Sequence, residues 1–310
     1  MLSEFRNFTK KNIMISIKKI GVIVLLLTIS IISIFAISKE HKNQITHEGT
    51  PKYFPTSVDF AGEKTPLNLY DVRERFDKEL LINANLDATT LLIIKRANRS
   101  FSIIEPILKQ NGIPDDFKYL AVIESGLTNA ISPSGARGFW QFMPDTAKEK
   151  GMEISETIDE RYHLEKATQA ACDYLLKAKE KFGTWTMAAA SFNVGMTGIS
   201  KQIDIQKVTN YYDLLLNDET SRYVFRILAL KVIMQHPEKF GFLIEPHELY
   251  TLLPTKKVQI DSTITDLANF AIQQGVNYKI LKIHNPWLRD KKLDNPSKKK
   301  YIIEIPLSGY

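Results

Sequence analysis

The chain of 310 residues is 44% hydrophobic and 25% charged, and its 13 prolines and 14 glycines are too few for a fibrous or low-complexity protein. One cysteine, Cys172, excludes an intramolecular disulfide and a thiolate metal cluster, and six scattered histidines lack HxxxH or HExxH spacing, so neither a metal site nor a cofactor is expected. The formal charge of +6 comes without a nucleic-acid-binding signature; it suits an anionic polymer or a membrane surface, and no nucleic-acid partner is expected.

Residues 20–37, "IGVIVLLLTISIISIFAI", carry no charge and follow Arg6, Lys10, Lys11, Lys18 and Lys19. Residues 1–38 are therefore expected to be a signal peptide or a membrane anchor, with the later residues exported to the periplasm or cell envelope. Cleavage after the Ala36-Ile37-Ser38 site and a start at Met14 both stay open. Residues 39–71, with Pro51, Pro55 and Pro66, are expected to be a linker, docked at most around "SVDFAG".

From Val72 the period turns helical, in "VRERFDKELLINANL" and "ATTLLIIKRANRSFSIIEPILKQNG". In "IPDDFKYLAVIESG", Pro114 suits a first helical position and Asp115 and Asp116 the positive helix end. Gly126 suits a left-handed cap, and Phe117, Leu120 and Glu124 share one face. Further helices are expected at 145–151, 165–182, 184–194 and 218–236, with Cys172 as a small buried hydrophobe. No strand-rich run precedes 256, so residues 72–250 are expected to be an all-helical globule. Residues 255–310 read strand, helix, helix, strand, and Lys298 to Lys300 there read as a solvated loop.

Glu124 is the chemically awkward residue. It falls in the last turn of its helix, at the negative end of the macrodipole, beside Val122 and Ile123. Both features disfavour the charged carboxylate, so it is either a proton donor or a side chain swung out to water. The following "SPSGARGFWQ" spaces Gly135 and Gly138 before Trp140 and Gln141, suiting close backbone approach to a sugar bearing an N-acetyl group; an ordinary loop with Trp140 in the core fits as well. "WTMAAASFNVG" offers Asn193 to orient the acid or to cap its helix. "NDETSRYVFRILALKVI" sets Glu219 and Tyr223 one turn apart, with Glu219 in the capping position behind Asn217 or Asp218.

"AVIESGLTNAISPSGARGFWQFMPDTA", "DERYHLEKATQAACDYL", "AAASFNVG" and "ETSRYVFRILALKVI" together resemble the lytic transglycosylases of the goose-type lysozyme superfamily, from about Phe60 to Ile233. The resemblance implies a lysozyme-like catalytic domain with Glu124 as its single catalytic acid. It also implies that Ser132 positions the reacting sugar, that Gln141 and Met143 line the N-acetyl subsite, and that Asn193 and Glu219 occupy family positions. Phe192 stands where the family has a tyrosine whose hydroxyl lies near the acid, and Tyr223 is the candidate substitute. The C-terminal βααβ unit resembles a LysM module, with Asp261-Ser262-Thr263-Ile264 in place of Gly-Asp-Thr-Leu and a basic insert before its last strand.

The implied reaction is non-hydrolytic cleavage of the β-1,4 bond between N-acetylmuramic acid and N-acetylglucosamine in peptidoglycan, giving 1,6-anhydro ends. A water-using muramidase and a catalytically weakened wall-binding scaffold are the alternatives. Peptidoglycan strands are the expected partner, together with the membrane if residues 1–38 stay attached.

Overall fold

The computed structural model describes residues 53–308; the apolar segment 20–37 lies outside the described residues. Among them the chain is mainly α, and no helix is long and apolar enough to cross a membrane.

A two-residue ladder, β1 (Asp59–Phe60) with β2 (Glu63–Lys64), opens the fold. This corrects the linker expected over 39–71, because residues from Tyr53 onward belong to the body. Phe60 is fully buried, with its ring centroid 4.9 Å from that of Phe117, and Val58 and Leu67 are buried beside it. Apolar residues placed on both sides of a tight turn bury together better than a tether allows. Lys231 Nζ donates to Asp59 O at 2.9 Å and to Asp116 Oδ2 at 2.7 Å, and Glu63 accepts from Trp185 N at 2.6 Å and Thr186 N at 2.8 Å. Asp116, in the first turn of the 3₁₀ helix Asp115–Phe117, thus pairs with a lysine as well as standing at a helix start.

Helices α1 (Tyr70–Ala84) and α2 (Asp87–Gln110) follow. Pro114 precedes a single 3₁₀ turn (Asp115–Phe117) and is not itself the first helical residue; α3 (Lys118–Ser125) starts after it. Then come α4 (Pro144–Glu149), α5 (Leu164–Phe182), α6 (Trp185–Gln206) and α7 (Asp218–Gln235). The expected helix 184–194 runs further, to Gln206, across a break at Gly195 (φ 81°, ψ 152°). Ala188, Ala189 and Ala190 are fully buried, which lets α6 lie close to its neighbours. Cys172 is fully buried on α5, and loss of hydration pushes its thiol up to about 12, so it is inert.

The C-terminal module is β3 (Thr255–Ile260), α8 (Leu267–Gln273), α9 (Tyr278–His284) and β4 (Tyr301–Pro306). Its strands pair antiparallel from Thr255↔Pro306 to Ile260↔Tyr301. Its core holds Leu267, Leu281, Leu288 and Ile303, and also Ile158 and Tyr162 from the helical body. Lys299 is not in a purely solvated loop: its ammonium lies 2.6 Å from Glu153 Oε2 and 3.4 Å from Glu160 Oε1.

Candidate active site

Glu124 is carried by the last turn of α3, whose apolar residues Leu120 to Ile123 are buried, and it is itself half-buried. Gly126 takes the left-handed conformation (φ 58°, ψ 31°) and turns the chain out of the helix into the loop that follows.

Helix α7 supplies the opposite wall. Asn217 caps it by accepting from Thr220 N at 2.8 Å, and Asp218 and Glu219 stand at its positive end. Glu219, Tyr223 and Arg226 then follow at i, i+4 and i+7 on one face. Tyr223 is buried, and its hydroxyl donates to Glu124 Oε1 at 2.5 Å. Arg226 Nη2 donates to Ile123 O at 3.0 Å, satisfying a carbonyl at the end of α3.

Loss of hydration raises the Glu124 carboxyl to about 7; the Tyr223 hydroxyl and the Arg226 charge pull it down, and the Glu219 carboxylate pushes it up. Burial and the facing carboxyl hold the Tyr223 proton well above its ordinary range, so Tyr223 acts as a donor. A carboxyl that titrates near neutrality can give a proton and take one back in the same cycle.

Residues 101–215, which contain Glu124 and its loop, match the transglycosylase SLT domain family, and residues 256–309 match the soluble lytic transglycosylase C-terminal LysM-like domain. This chain carries a transglycosylase SLT domain. Membrane-bound lytic murein transglycosylase D of Escherichia coli (strain K12) is 26% identical over 243 residues, covering 76% of this chain and 52% of that protein. The same protein from E. coli O6:H1 gives the same figures, and a putative tributyltin chloride resistance protein of Alteromonas sp. (strain M-1) is 31% identical over 97 residues, 46% of its length. The chain spans about half the length of the curated relatives it matches.

Within the SLT domain the glycine-spaced loop is held from beneath. Arg161 and Asp159 are both buried and paired twice, Nε to Oδ1 at 2.9 Å and Nη2 to Oδ2 at 2.8 Å. Arg161 Nη1 donates to Gly135 O at 3.0 Å and to Phe142 O at 3.2 Å. Gly138 (φ 82°) passes so close that an added Cβ would lie 2.0 Å from Arg161 O, so no other residue fits there.

Gln141, itself at φ 50°, donates from Nε2 to Gly138 O at 2.7 Å and to Ala130 O at 3.1 Å, so its amide shapes the loop. Ser132 Oγ accepts from Ala136 N at 2.9 Å and lies 2.9 Å from Ser134 Oγ, closing the loop's tip. Met143 ends the loop, 42% exposed. Trp140 is fully buried and donates to Thr168 Oγ1 at 3.0 Å: it is core, not a sugar platform.

Two further site candidates, Asn193 and Phe192, are carried by α6. Asn193 lies inside α6 and does not cap it; Nδ2 donates to Glu219 Oε1 at 3.1 Å, and Oδ1 accepts from Thr220 Oγ1 at 2.8 Å. It pins Glu219 across the α6–α7 contact. Phe192 packs edge-on against Tyr174, Phe142 and Trp140 at centroid distances of 5.3, 5.7 and 6.1 Å, so this aromatic cluster backs the loop. Sequence reasoning missed Arg226 and Arg161. Arg226 could have been found by continuing the Glu219–Tyr223 face one more turn. Arg161 carried no signal beyond its place in "DERYH".

Proposed function

We propose that this chain is a peptidoglycan lytic transglycosylase in which Glu124 performs both proton transfers. The carboxylic acid protonates the oxygen between N-acetylmuramic acid and N-acetylglucosamine as that bond breaks. The resulting carboxylate then takes the proton from the C6 hydroxyl of the muramic sugar, whose oxygen bonds to the anomeric carbon. The product is a 1,6-anhydro end; no water is consumed, and Glu124 finishes protonated.

The observation that carries this reading is a carboxyl near pKa 7 receiving a hydrogen bond from Tyr223 at 2.5 Å. Tyr223 supports the carboxylate half of the cycle, a task for which Phe192 has no hydroxyl. Glu219, held by Asn193, acts on Glu124 through its charge by raising the pKa of the acid. The SLT and LysM-like matches, and the murein transglycosylase name of the E. coli relatives, support peptidoglycan as substrate. The apolar segment 20–37 and the words "membrane-bound" in that name support an envelope location, with residues 53–250 as the catalytic unit.

Product analysis tests the reading. The chain is expected to release anhydro-terminated muropeptides from purified peptidoglycan, visible by mass spectrometry. Reducing-end products would mean a muramidase that uses water, and no products from folded protein would mean a scaffold.

Tyr223→Phe removes the donor that lowers the Glu124 pKa, so the alkaline limb of the pH–rate profile is expected to move upward. The carboxylate stage loses a charge-assisted hydrogen bond, typically worth about 1.5–3 kcal/mol, so kcat should drop about tenfold or more with KM little changed. An unmoved alkaline limb would remove Tyr223 from the proton chemistry.

A further inference from the structure

The basic insert before β4, which the proposed reaction does not use, reaches into the helical body at one place. Segment 153–163 lies between that insert and the glycine-spaced loop, and both of its sides are occupied.

On the insert's side, Ile158 is fully buried in the module's core and forms a bridge with Leu288. Backbone bonds run in both directions, Asp159 N to Trp287 O at 2.9 Å and Arg289 N to Thr157 O at 2.8 Å. The Trp287 ring stacks between His163 (6.0 Å) and Tyr301 (5.6 Å). Lys299 reaches Glu153 Oε2 at 2.6 Å, and the Tyr301 hydroxyl donates to the same oxygen at 2.9 Å.

On the loop's side, Arg161 holds the carbonyls of Gly135 and Phe142 and presses its own carbonyl against Gly138. Asp159 belongs to both sides, since its N–H donates to the insert and its carboxylate fixes Arg161. The segment is part of neither core alone. Its own structure is a short turn, closed by Ser155 N to Ile158 O at 2.8 Å and Glu160 N to Glu153 O at 2.9 Å and followed by the 3₁₀ turn Glu160–Tyr162, so what it is packed between sets where that turn lies.

We infer that the C-terminal module is a fixed buttress of the catalytic loop: insert 286–300 sets segment 153–163, and Arg161 passes that setting to Gly135–Gln141. Trp287 and Lys299 are accordingly positioning residues for the reaction, and the module contributes to turnover on glycans too short to reach it. This inference rests on the proposed activity for its kinetic readout and not for its structural one.

The test compares the full chain with its Trp287→Ala, Trp287→Phe and Lys299→Ala variants. Amide hydrogen exchange is followed over residues 130–142, and kcat and KM are measured on a short, soluble, uncrosslinked glycan. Trp287→Ala is expected to speed exchange over 130–142 about tenfold and to lower kcat by a comparable factor with KM nearly unchanged, the signature of a misplaced loop. Trp287→Phe, which keeps a ring between His163 and Tyr301, should stay near wild type. Lys299→Ala, at the exposed edge, should move both readouts in the same direction by about twofold.

Faster exchange confined to residues 255–308, with wild-type exchange over 130–142 and unchanged kcat, would overturn the inference. Should Trp287→Ala unfold the whole chain, Lys299→Ala decides on the same criterion. Absence of turnover in the wild type would sink the proposed activity, while exchange over 130–142 would still decide the buttress.

Discussion

Glu124→Gln is expected to lose turnover by about 10³-fold and yet to be more stable than the wild type above neutral pH. The amide keeps the shape of the side chain and can still accept from Tyr223, but it cannot donate a proton of useful acidity. The stability effect follows from linkage. In the unfolded chain Glu124 ionises around the ordinary carboxyl value of 4.5, whereas in the fold it keeps its proton up to about 7. The folded state therefore binds more protons between these values, and unfolding free energy declines as pH rises through that window. The contribution is fully present below 4.5 and lost above 7. A displacement of this size corresponds to about 3 kcal/mol. Urea unfolding at pH 4, 6 and 8 should show the two proteins nearly alike at the acid end, with Glu124→Gln gaining progressively as pH rises. A constant offset across that range would mean that the carboxyl titrates at its ordinary value and that the acid–base assignment fails.

The second large effect is expected at Arg161→Met, which should destabilise the protein by about 3–5 kcal/mol, the range for breaking a buried ion pair from one side. Arg161 and Asp159 are each about 3% exposed, so the carboxylate has little water to turn to and keeps only the long contact from Arg137 Nη1, 3.5 Å from its Oδ2. The carbonyl of Gly135 loses its Arg161 donor in the same change. The double variant Asp159→Asn with Arg161→Met should recover a good part of the loss, because no buried charge is then unpaired and Arg137, 38% exposed, can turn to water. Thermal unfolding of both variants checks the sign and the recovery. A loss under about 1 kcal/mol would mean that water or a neighbouring cation already serves Asp159.

The two arginines show why some of the site was legible and some was not. Glu124, Gly126 and Tyr223 announce themselves through local chemistry: a carboxyl in an apolar helical run, a glycine where the helix must end, and a phenol one turn from an acid. Their roles need knowledge of only one helix each, plus the crossing of α3 and α7. Arg226 shares the face of Tyr223, but its job is to satisfy the carbonyl of Ile123, about a hundred residues away, and no spacing encodes that. Arg161 lies two residues from Asp159 in what reads as a connecting segment. Its work is done on backbone carbonyls of Gly135 and Phe142, groups that every residue carries. Asn193 could not be placed for a related reason: its amide could orient the acid or cap its own helix, and the packing of α6 on α7 put it against Glu219 and Thr220.

By itself the sequence determined the mainly α character, the βααβ order of the C-terminal module, and the place of the Glu124 carboxyl at the end of a glycine-ended helix, because hydrophobic period and helix-end chemistry act over a few residues. The tertiary structure decided the rest. It set the Glu124 carboxyl near 7 through burial and the hydroxyl of Tyr223, drew residues 53–69 into the body, put Trp140 into the core, and wedged segment 153–163 between loop and module. Those outcomes depend on which distant groups share a low-dielectric space, and burial, pairing and backbone satisfaction exist only once the elements have packed.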